Sequence, residues 1–424
     1  MMRVKFPQIR RSDSLRGPSG PFVAILALTL ASGVMACSPS TATPTPLPSV
    51  TGSTFSGDLA GVAVLSANDV WAVGTGYQGY QGNPYYCETL ILHWDGKSWT
   101  KVPSPSPGGI SSGPAPAGEA PLCAQTSSEL SAVSAISPTD IWAVGSYVDP
   151  TTGVAMSLIL HWDGDSWTQV PSPNPGGGAS PGNEAAGMGG NWLTAVSALS
   201  SDDVWGVGDY TSKTASTGEE TLVVHWNGES WSQVPSLNPG VGESVLASVL
   251  ALSDTDVWAG GDMVSGNNQY FSLMEHWDGE NWSQVPVPGT STLVTLAAAT
   301  PQDVWTAGTD LVLNWNGSNW NQVAVPLSGV DLNSILVTSA TERWVVGDYE
   351  DQNELVVLHG QSNGWTQVQV SPNDTNPSDA QMDLESLGEA SPNSIWAVGC
   401  YPDSSTGYVS TLVLHWDGHS WQKA

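Results

Sequence analysis

Two spacings recur along this chain without a single insertion. Leu59, Leu130, Leu193, Leu246, Leu293, Leu332 and Leu384 are each followed 12 positions later by a tryptophan, namely Trp71, Trp142, Trp205, Trp258, Trp305, Trp344 and Trp396. A second spacing, of 5, runs through H-W-D-G-x-S-W and joins Trp94 to Trp99, Trp162 to Trp167, Trp226 to Trp231, Trp277 to Trp282, Trp315 to Trp320 and Trp416 to Trp421; the sixth copy keeps only Trp365. These are seven copies of one unit. Self-similarity at such a period means that each unit covers its apolar faces with its neighbours instead of folding around one central core. The length of 424 residues is then no guide to domain number.

Residues 130 to 171 show the unit most fully. Leu130 to Ile136, rich in Ala, Ser and Val, reads as a first strand; a Ser-Pro-Thr-Asp turn leads to a second, Ile141 to Gly145. After a variable segment, Ser157 to Trp162 alternates as a third strand, and an Asp-Gly turn returns the chain as a fourth, Ser166 to Val170. Helical periodicity is nowhere sustained. Seven four-stranded units rich in tryptophan and turn residues predict an all-β fold, a seven-bladed β-propeller with antiparallel blades. The small residues of the first strand place it innermost, lining a narrow channel. In this frame the last blade ends on Trp421 to Ala424, and ring closure rests on side-chain packing without strand exchange; a shifted frame, in which Thr51 to Asp58 completes a blade, is the alternative.

Charge is distributed very unevenly along the chain. Of 40 acids only Asp13 precedes residue 37, whereas five of the ten basic residues do, so the remainder carries a net charge of about −34. Such a surface repels phosphate backbones and anionic headgroups, which excludes nucleic acid as a natural partner and disfavours direct electrostatic docking to membranes. Neutral glycans, cations and basic proteins stay open. The basic N-terminus is followed by an apolar run from Phe22 to Ala36, short for a membrane span and suited to a secretory signal. The run ends in Val34-Met35-Ala36-Cys37, which resembles the lipobox of bacterial lipoproteins; the resemblance implies cleavage before Cys37 and lipid attachment to it. The expected organisation is a signal over 1–36, a Pro/Ser/Thr-rich tether over 37–57 and the propeller over 58–424.

The repeat itself is similar to the tectonin-like repeats of bacterial propellers, which also pair a V-W-A-V strand with a D-G-x-S-W turn, and more distantly to Kelch and Asp-box propellers. The turns here lack the full Asp-box spacing and the double glycine of Kelch repeats. Tectonin-type propellers include lectins, so the resemblance implies sugar binding without placing a site.

A four-stranded meander puts its first-to-second and third-to-fourth turns on one face of the ring, and its second-to-third loops and blade-to-blade links on the other. Turns on the first face are short and nearly fixed. On the second, the distance from the first tryptophan to the His-Trp position runs from 10 (Trp305 to Trp315) to 23 (Trp71 to Trp94). Variable loops on a rigid scaffold are the usual place for recognition. All ten tyrosines fall in these segments. Tyr147, Tyr210, Tyr349 and Tyr401 sit five after the blade tryptophan and read as packing residues. Tyr77, Tyr80, Tyr85, Tyr86, Tyr270 and Tyr408 are the candidate ligand contacts, together with Trp192, which reads as part of the long link between blades 2 and 3 and is the one tryptophan outside the two spacings.

The cysteines after Cys37 also map to the loop-bearing face. Cys87 with Cys123 is the first expectation for a disulfide; a bridge from Cys400 to either would staple the ring, and three reduced thiols are the remaining alternative. Six histidines (His93, His161, His225, His276, His359, His415) share one repeat position with Asn314, which points to a structural hydrogen bond and not to a metal. Arg343 is the only arginine after the signal, so the arginine triad of sialidase-like chemistry cannot be assembled. No carboxylate pair stands out as a glycosidase site. Asp348, Glu350 and Asp351, or Asp202 and Asp203, are candidate Ca²⁺ ligands but read as solvated acidic loops, and no cofactor is expected. The sequence thus predicts a lipid-anchored, exported, monomeric binding or scaffold propeller that recognises a glycan or a protein. An extracellular polysaccharide hydrolase or lyase is the alternative.

Overall fold

The computed structural model describes residues 55–78, 86–108, 127–176, 189–211, 218–267, 269–349, 354–370, 382–403 and 408–424. Tyr80, Tyr85, Cys37 and Cys123 lie outside them. The described strands form seven four-stranded antiparallel sheets, each in simple sequence order, so the chain is a seven-bladed β-propeller. The unshifted frame holds. In blade 2 the strands are Ser128–Ser137, Asp140–Val148, Ala155–Trp162 and Trp167–Gln169. The second strand runs three residues beyond the Gly145 expected for it, because Ser146, Tyr147 and Val148 continue the ladder opposite Ser157, Met156 and Ala155.

The tryptophans explain why the two spacings are rigid. In six of the seven units the blade tryptophan is buried against both H-W-D-G-x-S-W tryptophans of the next, as Trp71 lies 5.0 Å from Trp162 and 5.8 Å from Trp167, and Trp142 lies 5.1 and 5.4 Å from Trp226 and Trp231; Trp305 meets Trp365 alone, at 6.4 Å, and carries Arg343 over its ring. Such tilted and edge-to-face pairs add to the area each ring buries. The seam between the last blade and the first repeats the arrangement, with Trp396 at 5.4 and 5.5 Å from Trp94 and Trp99. An insertion inside either spacing would lift a ring out of its seam.

The shared histidine position completes the unit. His93 stacks on Trp71 at 4.3 Å, and its Nε2–H donates to Asp69 Oδ1 at 2.9 Å. His161, His225 and His276 repeat this bond with Asp140, Asp203 and Asp256, and His359 makes it to Glu342. Asn314 donates to Asp303 at 2.7 Å in the same place, as a hydrogen-bonding role without imidazole predicts.

The Ser-rich inner strands do more than fit a narrow space. Ser134 Oγ accepts the backbone N–H of Ala198 in the next blade, Ser197 that of Ala251, Thr295 that of Ile335, and Ser334 that of Leu387. Ser386 in the seventh blade accepts Val62 N–H of the first. Closure therefore uses hydrogen bonds as well as the side-chain packing expected for it. Thr411 N–H also donates to Phe55 O, and Ser56 forms a backbone bridge with Ser410. The segment ahead of blade 1 thus grips the third strand of blade 7, as the link residues Ser127 and Gly190 grip Cys87 and Ala155.

One glycine is required in every copy. Three residues after each blade tryptophan, a Cβ on Gly74, Gly145, Gly208, Gly261, Gly308, Gly347 or Gly399 would lie within 2.1 Å of the backbone carbonyl oxygen of the residue preceding the repeat leucine. The close approach draws the loop-side ends of the first two strands tightly together.

Candidate functional site

The loop-side strand ends carry a set of acids that the repeat spacing conceals. The residue before each repeat leucine and the residue four after each blade tryptophan lie directly opposite one another in Asp58↔Thr75, Glu129↔Ser146, Trp192↔Asp209, Val245↔Asp262, Asp331↔Asp348 and Asp383↔Cys400. Each of these six pairs, from six of the seven blades, contains a carboxylate. Blade 5 supplies hydroxyls instead. Thr292 Oγ1 donates to Asp262 at 3.1 Å and Thr309 Oγ1 to Asp331 at 2.7 Å, so the two threonines serve the acids of the blades on either side.

Burial and mutual repulsion shape these groups. Asp58 is 2% exposed; burial raises its pKa, against the bonds it accepts from Tyr77 OH (2.6 Å) and Thr75 N–H (3.0 Å). Burial likewise raises Glu129, partly offset by Ser146 Oγ–H at 2.8 Å, with the charge of Asp58 adding to the rise. Asp383 is pushed up to about 6 by burial and then by Asp331 and Asp58. Glu385 occupies the bulge between Leu384 and Ser386 and is raised by burial, then by Asp383, Asp348 and Asp58. Glu219, on the third strand of blade 3, is pushed up to about 9 by burial and then by Asp209, Glu243 and Asp262. Desolvation and like charge act in the same direction here, both disfavouring the ionised carboxyl.

Acids at the opposite end of the ring behave differently. Asp95, Asp163, Asp278 and Asp417, in the H-W-D-G-x-S-W turns, each accept two backbone N–H groups, and these bonds hold their carboxyls below the ordinary range. The turns are fixed by the repeat, with the following glycines at positive φ, such as Gly96 at 88°.

Comparison with known protein families and with characterised proteins finds no match by sequence. Solved propellers are similar in fold alone. A structure described as YCF48 bound to D1 peptide shares 14% identity over 90% of this chain and 99% of its own, with a TM-score of 0.48. The extracellular domain of the one-component system BT4673 from B. thetaiotaomicron shares 13% identity over 80% of this chain and 38% of its own, at 0.45. A polysaccharide lyase of the PL25 ulvan lyase group shares 10% identity over 88% and 96%, at 0.49.

The described candidate residues sort into two groups. Tyr77 and Tyr270 place their hydroxyls on acids, Asp58 at 2.6 Å and Glu243 at 3.2 Å. Tyr77 also packs beside Cys400 and Val409 across the closing seam. Trp192 is half-buried in the inner strand Asn191–Ser200, opposite Asp209, and not in the preceding link where the sequence placed it. Tyr86 and Tyr408 begin the third strands of blades 1 and 7, also on the loop side. Of the expected packing tyrosines, Tyr401 is buried, and Tyr210 OH bonds Glu220. Cys87 and Cys400 are both disulfide-bonded, which removes the reduced-thiol alternative for these two. Of the candidate Ca²⁺ ligands, Asp348 belongs to the acid ring, Glu350 and Asp351 lie outside the described residues, and Asp203 is taken by His225. Among the described residues no three acids, histidines or cysteines converge as a metal cage.

Proposed function

We propose that this propeller is an exported, monomeric binding module, held at the cell surface through lipid on Cys37, that recognises a protein or a glycan with its loop-bearing face. One observation carries the reading. The turn-bearing end is made of repeat-encoded contacts, whereas the loop-bearing end gathers side chains that differ from blade to blade: Tyr77, Trp192 and Tyr270 set among buried carboxylates. A rigid ring with one invariant and one diversified end is the arrangement of a recognition scaffold.

The test is a glycan array probed with the full chain, run beside cell-surface crosslinking. Saturable binding to glycan, or crosslinking to a defined protein, with no change in the bound molecule supports the reading. Release of shortened or unsaturated oligosaccharide would sink it and favour the polysaccharide hydrolase or lyase alternative, in which an acid of raised pKa such as Asp383 would serve as the proton donor.

A further inference from the structure

Glu219 stands apart in the acid ring. Its side chain is 6% exposed, and both of its carboxyl oxygens are buried without a hydrogen-bond partner among the described residues. It lies opposite Thr211, on the same face of the sheet as Asp209, which pairs with Thr221 two residues on. Three carboxylates bear on it from three elements: Asp209 from its own blade, Glu243 from the link to the next, and Asp262 from the second strand of that next blade. The four described basic side chains are placed elsewhere. Lys101 pairs with Glu88, Arg343 lies over the Trp305 ring, Lys423 lies over Tyr401, and Lys97 is exposed in a turn at the opposite end. Lys213 lies outside the described residues.

A buried carboxyl with neither donor nor counter-ion is costly as an anion and poorly satisfied as an acid. A cation would relieve both conditions. We propose that the seam of blades 3 and 4, at the loop-bearing end, receives a lysine or arginine side chain of a protein partner, with Glu219 as its counter-ion. The proposal rests on the loop-face reading above and names its ligand class.

The ligand chemistry follows from the spacing of the acids. Calcium requires 6 to 8 oxygens converging at about 2.3–2.6 Å, and no such convergence exists among the described residues. An ammonium or guanidinium on a flexible stem needs only a few acceptors spread around it. A polar recess of about 280 Å³, lined by Tyr210, Thr221, Gln233, Pro235, Ser236 and Asn238, lies beside the strands that carry Asp209 and Glu219, and neither carboxylate lines it. Because the carboxyl holds its proton when the seam is empty, the arriving cation expels that proton to solvent.

The test is calorimetric titration of the full chain with tri-lysine near pH 7.5, in two buffers of different ionisation enthalpy. Expected are saturable binding with net proton release, and a loss of about tenfold or more in affinity in Glu219→Gln, the size of one charge-assisted hydrogen bond. Proton release should vanish in the same variant, while Glu280→Gln, in an exposed turn at the opposite end, should change neither. Glu219→Gln mimics the protonated acid and should fold; Glu243→Gln, with an expected severalfold loss, checks the seam independently. Equal binding by wild type and Glu219→Gln, or a Ca²⁺ titration that depends on Glu219 where tri-lysine does not, overturns the proposal. If loop-dependent capture of a glycan or protein persists while tri-lysine fails to bind, the cation site falls and the loop-face reading stands.

Discussion

Glu275 breaks the hydrophobic pattern of its blade and should make the fold pH-sensitive. The residue before the shared histidine position is Leu92, Leu160, Val224, Leu313, Leu358 and Leu414 in the other six blades, each at most 1% exposed, and Glu275 is buried just as fully at 0%. Its Oε2 accepts one long bond from Leu237 N–H at 3.4 Å, and Oε1 has no partner among the described residues. Burial pushes its pKa up to about 7, against 4.5 for an ordinary glutamate, with the Leu237 bond pulling slightly the other way. Between these values the folded state holds a proton that the unfolded chain has released, so stability falls as pH rises. At 1.36 kcal/mol per unit, the penalty grows to about 3 kcal/mol above pH 7 and is absent below about pH 4.5. Glu275→Gln, which keeps the shape and cannot ionise, should therefore match the wild type at about pH 5 and exceed it by up to about 3 kcal/mol at about pH 8 in chemical denaturation. Glu275→Leu should gain at both, because it also removes a carboxyl oxygen that is unsatisfied when neutral. A Gln variant no more stable than wild type at the higher pH, or a gain independent of pH, would refute the reasoning.

Two further outcomes test the ring and its anchor. If the closing seam is equivalent to the internal ones, Trp396→Ala and Trp142→Ala, both 2% exposed in the parent, should each cost about 3–5 kcal/mol in denaturant unfolding; a nearly silent Trp396→Ala would show that the ring is not truly closed there. A sulfur bound to lipid by a thioether cannot also enter a disulfide, so peptide mapping without reduction should find Cys37 lipid-modified and in no cross-link, and a Cys37–Cys400 bond would sink the anchor.

How much was legible in the sequence follows from what each residue does. Trp71, Trp142 and their counterparts each fill the seam to the next blade, so an invariant spacing was the visible trace of a recurring contact, and blade number and frame could be read from it. The histidine position was legible through its exception, Asn314, which keeps the bond to Asp303 and dispenses with the ring. The acid ring was not legible in the same way. Its members are split between two positions that face one another across the first two strands, and each position taken alone is mixed: Asp, Glu, Trp, Val, Thr before the leucines, and Thr, Ser, Asp, Cys after the tryptophans. Only pairing the two positions by the antiparallel register shows that one residue or the other is a carboxylate in six blades. Trp192 was misplaced for the related reason that it stands at one of these positions and looks, in the linear chain, like the end of a link. Closure was underestimated because Phe55 and Ser56 carry no repeat signature; their role is made by backbone groups, which leave no mark on residue type.

The two ends of the ring push the titration of these carboxyls in opposite directions. In the turns, two backbone N–H groups on each of Asp95, Asp163, Asp278 and Asp417 favour the anion. At the loop-bearing end, burial and neighbouring carboxylates favour the acid in Asp58, Glu129, Glu219, Asp383 and Glu385. The formal charge of −30 is therefore not an even shell. The turn-side charge is fixed over the physiological range, whereas the loop-side charge responds to whatever approaches it. An approaching anion would have to ionise nothing and would still meet repulsion; an approaching cation lowers the pKa of each acid it nears and so creates the charge that binds it. A loop-bearing face built in this way should bind cationic partners in preference to anionic ones at neutral pH, and its affinity for them should decline on acidification, as the protons it must release become harder to remove.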